Sequence, residues 1–425
     1  MKKASTLIII GIIGLAMFTV FAPNVKAQQS IDWWSMFHHD LTHTGISTST
    51  APDTNQTSWT YTTSGGVQSS PAVVDGVVYV GSYDGNVYAL NVSKGALLWN
   101  YTTYGSVVSS PAVVDGVVYV GSYDGNVYAL NASKGAFIWN YPTNGPVLSS
   151  PAVANGSVYV GSVDGKIYAL DASTGASIWN YTTDGGVYSS PAVAGGVVYV
   201  GSVDGNVLAL NSSTGKLKWS FRTGSFVESS PAVVDGVVYV GSEDGKVYAR
   251  NASTGVPIWN YTTDGGVYSS PAVAGGIVYV GSLDDNVYAL NASTGAYVWS
   301  SPTSGSVYSS PAVAGGLVLI GSTDDTVYAL SASNGTYIWS YTTGGEVLSS
   351  PTVVNGTIYV GSLDDNVYAF GPSIGSGGGL PPILTDAIII VVIIAVIAIA
   401  LILVFWYQAR RDRQQNKNYS MPSIP

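Results

Sequence analysis

The sequence predicts an all-β fold, an eight-bladed β-propeller, followed by one C-terminal transmembrane helix. Three observations carry this reading. A 40-residue unit recurs eight times without slipping register, with Ser-Ser-Pro beginning at Ser69, Ser109, Ser149, Ser189, Ser229, Ser269, Ser309 and Ser349. A tryptophan keeps the same beat at Trp59, Trp99, Trp139, Trp179, Trp219, Trp259, Trp299 and Trp339. Each unit reads as four short strands, and four strands per roughly 40 residues is the pattern of a propeller blade.

The elements follow in chain order. Met1-Lys2-Lys3, an apolar run from Leu7 to Phe21 and the small-residue end Val25-Lys26-Ala27 predict a secretory signal peptide over 1–27; an uncleaved anchor is the alternative. Residues 28–54 form a lead-in, and 55–370 the propeller. In the first unit Pro71–Val74 is the inner strand, Asp75-Gly76 a hairpin turn, Val77–Val80 a buried strand, and Asp84-Gly85 a second turn. Asn86–Leu90 is the third strand, with Val87 and Ala89 on one face and Tyr88 and Leu90 on the other. Leu97–Thr103 is the outer strand. The segment at Trp59 is an outer strand with no unit before it, while the last unit stops at Phe370 after three strands. Pairing the two closes the ring and leaves no open sheet edge.

Residues 371–386 read as a Gly/Pro/Ser linker. Ala387–Tyr407 carries no charge over 21 residues, enough at about 1.5 Å per residue to cross a bilayer. Arg410, Arg411, Arg413 and Lys417 follow in the tail 408–425, which places that tail in the cytoplasm and the propeller outside. Twelve Asn-x-Ser/Thr sequons agree with a surface glycoprotein: Asn55, Asn91, Asn100, Asn131, Asn155, Asn180, Asn211, Asn251, Asn260, Asn291, Asn334 and Asn355. Five share one place in the repeat and so are not independent.

Charged residues make up only 9% of the chain, against about 25% in ordinary soluble domains. Between residues 28 and 380 there are 8 Lys/Arg and 23 Asp/Glu. That acidity argues against a nucleic-acid partner, which requires basic stripes. There is no cysteine, hence no disulfide framework and no thiolate chemistry.

The run Ala169-Leu170-Asp171-Ala172-Ser173-Thr174-Gly175-Ala176-Ser177-Ile178-Trp179 resembles the tryptophan-docking motif of the quinoprotein (PQQ-type) propellers. Asn replaces the aspartate at Asn91, Asn131, Asn211, Asn251 and Asn291. The segment from Trp34 to Gly45 is similar to the lead-in of such repeat proteins. The resemblance implies eight blades and tryptophans that dock on the neighbouring blade, a structural role. The family's dehydrogenases hold pyrroloquinoline quinone and Ca²⁺ over the axis with long inserted loops and acidic residues. Here every unit is 40 residues long, and the chain resembles the non-catalytic surface and scaffold members more.

The expected function is therefore a cell-surface, membrane-anchored, non-enzymatic binding or scaffold module of the envelope, with a protein or glycan as partner and no cofactor. The alternative is a PQQ-dependent oxidoreductase acting on alcohols or sugars. The recurring aspartates Asp84, Asp124, Asp164, Asp204, Asp244, Asp284, Asp324 and Asp364 read as turn residues, with a ring of Ca²⁺ sites as the alternative. No metal site is assigned; the candidate ligands are His38, His39 and His43 with Asp40, against a lead-in that merely caps the propeller. The expected partner-binding residues are Gln68, Tyr188, Glu228, Tyr268 and Tyr308, at the position before Ser-Ser-Pro, joined by Arg222 and Phe226 in the unit that departs most from the rest. Lys216, Lys218, Phe221 and Arg250 belong to that unit. Exposed tyrosines there mark a docking surface.

Overall fold

The computed structural model describes residues 31–371. The expected signal peptide, the linker beyond Gly371, the span 387–407 and the tail lie outside the described residues; among those described, no helix is long and apolar enough to cross a membrane. Eight four-stranded antiparallel sheets are present. The first comprises Ala72–Val74, Val77–Gly81, Asn86–Asn91 and Leu97–Thr102, and the pattern repeats every 40 residues. The eighth takes Thr352–Val354, Thr357–Gly361 and Asn366–Phe370 from the end of the chain and Thr57–Thr62 from its start. Trp59 lies opposite Ala369, and Thr62 opposite Asn366.

Local chemistry explains the hairpins. The first turn of every unit is Asp-Gly, Asn-Gly or Gly-Gly, and both residues have positive φ, as at Asp75 (50°) and Gly76 (79°). That is the two-residue turn whose twist matches the flanking strands. The strands are rich in Val and Tyr, which pack well on a pleated surface. Val87 and Ala89 face the second blade, joining Val113, Val118 and Leu130. Tyr88 and Leu90 face the eighth.

The tryptophans lock blade to blade. Each indole N–H donates to the carbonyl of a residue 33 positions on, in the next blade: Trp59 to Val92, Trp99 to Ala132, Trp139 to Ala172, Trp179 to Ser212, Trp219 to Ala252, Trp259 to Ala292 and Trp299 to Ala332, at 2.8–3.1 Å. Trp339 finds its acceptor in Pro52 of the lead-in, at 3.0 Å. The glycine three residues after each of the seven docking carbonyls in a next blade is required for two reasons. Gly175 has φ +73°, and a Cβ there would lie 2.7 Å from the Trp139 ring. A side chain at that position meets both backbone strain and the indole.

Ser-Ser-Pro, read in the sequence only as a register mark, forms a closed circuit. The Ser70 N–H donates to Ser110 Oγ, and the same bond steps through Ser150, Ser190, Ser230, Ser270, Ser310 and Ser350 back to Ser70. The preceding serine accepts the N–H at the end of its own second strand, as Ser69 Oγ does from Gly81. Small buried hydroxyls thus satisfy backbone groups where the inner strands converge.

The lead-in runs round the inside of this ring. Its carbonyls at Trp34, Ser35, Leu41, Thr42, Thr44 and Gly45 accept the N–H groups of Val73, Val113, Val193, Val233, Val273 and Val313. Those are the free edges of the inner strands, which would otherwise face the channel unpaired.

Candidate functional site

The turn between second and third strands and the loop from outer strand to next inner strand share one end of the ring. The recurring aspartates sit there and are committed to the fold. Asp124 Oδ1 accepts the Asn126 N–H, and its Oδ2 accepts the Tyr128 hydroxyl and the Tyr104 N–H. Asp84, Asp164, Asp244, Asp284, Asp324 and Asp364 repeat this set with Tyr88, Tyr168, Tyr248, Tyr288, Tyr328 and Tyr368. The donors hold the Asp84 and Asp124 carboxyls below their usual range against the opposing effect of burial. Oxygens occupied by N–H and O–H donors are turn chemistry. Among the described residues, no three His, Cys, Asp or Glu side chains converge to hold a metal ion.

The histidines serve the lead-in. His38 Nε2 lies 2.8 Å from the Pro311 carbonyl and Nδ1 3.1 Å from that of His43. His43 Nδ1 reaches the Pro231 carbonyl at 3.1 Å, a partner far along the chain rather than the local one a simple cap implies. Burial holds His38 down to about 4 and His43 to about 3. His39 behaves oppositely: burial alone would lower its pKa, but Asp40 and Asp32 on its two ring nitrogens raise it. All three, with Asp40, are spent on docking this segment.

The expected binding face is less open than its tyrosines imply. Tyr308 is exposed, at 41%; Tyr188 and Tyr268 are half-buried. The Tyr268 and Tyr308 rings lie 5.4 Å apart, and the Tyr268 hydroxyl donates to Glu243 Oε1 at 2.8 Å. Ser225 donates to the other Glu243 oxygen. Burial and the nearby Glu243 push the half-buried Glu228 carboxyl up. The side-chain oxygen of Gln68 accepts from Tyr83. Phe226 (48%) and Arg222 are exposed. Arg250, at a place where most blades have leucine, lies 4.2 Å over the Phe221 ring and 5.3 Å from that of Tyr248, with Nε buried and without an acceptor. The sequence did not flag Glu243 or Leu208; both are legible only as odd members of a column in the aligned repeats.

The sequons divide into two groups. Asn55, Asn100, Asn155, Asn180, Asn260, Asn334 and Asn355 are exposed. Asn91, Asn131, Asn211, Asn251 and Asn291 are half-buried, and each Oδ1 caps the third turn by accepting the N–H groups two and three residues on. Asp171 does the same. The turn uses only the oxygen, which is why Asn and Asp interchange there.

Eight closed sheets with docked tryptophans define a PQQ-like β-propeller. The chain belongs to the family described as "Beta-alanine-activating enzyme, beta-propeller", whose model matches residues 43–196 and 192–376. The fold is similar to that of BamB from Moraxella catarrhalis, at 23% identity over 74% of this chain and 99% of that one, with TM-score 0.66. A europium-containing methanol dehydrogenase matches at 15% identity over 82% and 99%, with TM-score 0.71. The computationally designed Ika8 protein matches at 20% identity over 73% and 97%, with TM-score 0.67. No curated protein matches the chain in sequence.

Proposed function

We propose that this propeller is a non-enzymatic binding module, displayed outside the cell on the span Ala387–Tyr407 and glycosylated at exposed sequons, with a protein or glycan of the envelope as its partner. The observation that carries this reading is where the repeat breaks. In a ring of near-identical units, Lys216, Lys218, Phe221, Arg222, Phe226, Glu228, Glu243 and Arg250 collect in one sector. Arg222 and Phe226 are exposed there, pairing a guanidinium with an aromatic ring, as interface anchors do. The recurring carboxylates available to an acid–base site are tied to turns, and the channel at the level of Pro71 and Val73 is lined by the lead-in. In a surface cross-linking pull-down, Tyr188→Ser/Tyr268→Ser/Tyr308→Ser and, separately, Arg222→Glu keep the fold and lose the partner. Undiminished recovery with both variants rules this face out.

A further inference from the structure

One blade boundary lacks the third-strand tyrosine that the other seven have; at the boundary of the sixth and seventh blades that tyrosine, Tyr328, is present and Ser301 replaces the outer-strand ring. At six boundaries an outer-strand aromatic ring packs on the third-strand tyrosine of the next blade: Tyr61 on Tyr88, Tyr101 on Tyr128, Tyr141 on Tyr168, Phe221 on Tyr248, Tyr261 on Tyr288 and Tyr341 on Tyr368, with centroids 5.5–5.9 Å apart. Each third-strand hydroxyl donates to the aspartate four residues earlier, at 2.5–2.8 Å. At the boundary of the third and fourth blades the third-strand residue is Leu208. Tyr181 is in place but has no ring to meet. Asp204 retains the Asn206 and Asp184 N–H groups, at 2.8 and 3.1 Å, and receives no phenol. A cavity of about 120 Å³ opens there, lined by Tyr181, Asp184, Asp204, Asn206, Leu208 and Ser220 among others. It adjoins a cleft of about 420 Å³ that shares Asp184, Asp204 and Asn206 and adds Arg222 and Phe226.

The geometry points to a phenol-binding site between the third and fourth blades: a hydroxylated aromatic ring supplied from outside packs on Tyr181 and donates its O–H to Asp204, as the chain's own tyrosines do at the sister boundaries. At about 120 Å³ the slot is smaller than the roughly 150 Å³ cavity that takes a benzene, and the ring fits by extending into the adjoining cleft of about 420 Å³. The chemistry is written seven times in the same molecule, because Tyr328 also donates to Asp324. The open adjoining cleft leaves room for whatever carries the ring. The slot itself, Tyr181 with Asp204, does not depend on the function proposed above, although the cleft it opens into shares Arg222 and Phe226 with that surface.

The test uses the full-length protein in detergent, with p-cresol and toluene as probes in titrations followed by thermal unfolding. p-Cresol raises the wild-type melting temperature and binds roughly tenfold or more tightly than toluene, which cannot donate to the carboxylate. Leu208→Tyr fills the slot, is more stable without ligand and gives no p-cresol response. Tyr128→Leu opens a second such slot, loses stability, and regains part of it with p-cresol but not with toluene. N-acetyltyrosinamide separates the sources. A tyrosine of a polypeptide predicts tighter binding than p-cresol, with the gain lost in Arg222→Ala; equal binding assigns the slot to free phenols. An unchanged p-cresol response in Leu208→Tyr, no rescue of Tyr128→Leu, or equal affinity for p-cresol and toluene overturns the assignment.

Discussion

Deleting residues 55–63 lowers the melting temperature of the propeller by about 10 °C or more and drives it to aggregate. The strand Thr57–Thr62 is the outer strand of the eighth sheet and pairs the start of the chain with its last strand. Its Trp59 is buried and donates to Val92 of the first blade at 2.9 Å. Truncating a buried Trp to Ala costs about 3–5 kcal/mol, and in a large domain each kcal/mol moves the melting temperature by roughly 2 °C or more. The deletion also strips Asn366–Phe370 of its neighbour and exposes a row of backbone donors and acceptors. Thermal unfolding followed by circular dichroism, with light scattering, measures both effects. Trp59→Ala reproduces the loss of stability without baring the whole edge, so it unfolds earlier but aggregates less. A deletion that unfolds like the parent shows that the strand does not close the ring.

The second large effect is acid destabilisation through the lead-in. His38 and His43 are fully buried and neutral, with pKa values held near 4 and 3, against about 6.5 in an unfolded chain. Above pH 6.5 neither state binds the proton and stability is at its full value. As the pH falls below 6.5 the unfolded chain takes up protons that the folded chain refuses, so stability drops until the folded pKa is reached. For His38 alone the loss between pH 6.5 and 4 is about 3 kcal/mol. His39, with its raised pKa, acts in the other window: its contribution is intact below 6.5 and fades as the pH rises through its folded value. Urea unfolding at a series of pH values reveals the slope. His38→Asn/His43→Asn keeps neutral N–H donors beside Pro311 and Pro231 and flattens it. An unaltered slope in that variant places the acid sensitivity elsewhere.

The blades were legible because a repeat writes each physical requirement eight times. Asp75-Gly76 and its seven counterparts specify a turn with two positive φ angles, and the Gly-to-Trp spacing specifies an indole lying over a residue with no side chain. What a period cannot show is a contact made once. The lead-in has no periodicity of its own, and its partners at Val73, Val113, Val193, Val233, Val273 and Val313 lie up to 268 positions away in the chain, from Gly45 to Val313. His43 therefore read as a metal candidate or a local cap, although it bonds Pro231. The serine circuit was hidden for a related reason: a bond from Ser350 back to Ser70 exists only once the ring is closed. Tyr188 and Tyr268 read as exposed because sequence gives their place at the mouth but not the Glu243 and Tyr308 side chains that cover Tyr268. Leu208 escaped notice because the reading attended to tyrosines that were present; the vacancy appears only when Asp204 is seen without the phenol its seven counterparts hold.

The claim that this propeller binds and does not catalyse is tested most directly by supplying the purified full-length protein with pyrroloquinoline quinone, Ca²⁺, a panel of alcohols and sugars, and an electron-accepting dye. Recurring carboxylates tied to turns and a position before Ser-Ser-Pro occupied by glutamine, valine, leucine, tyrosine and glutamate predict dye reduction no faster than in a heat-denatured control for every substrate. Substrate-dependent, saturable dye reduction that is lost on denaturation contradicts it.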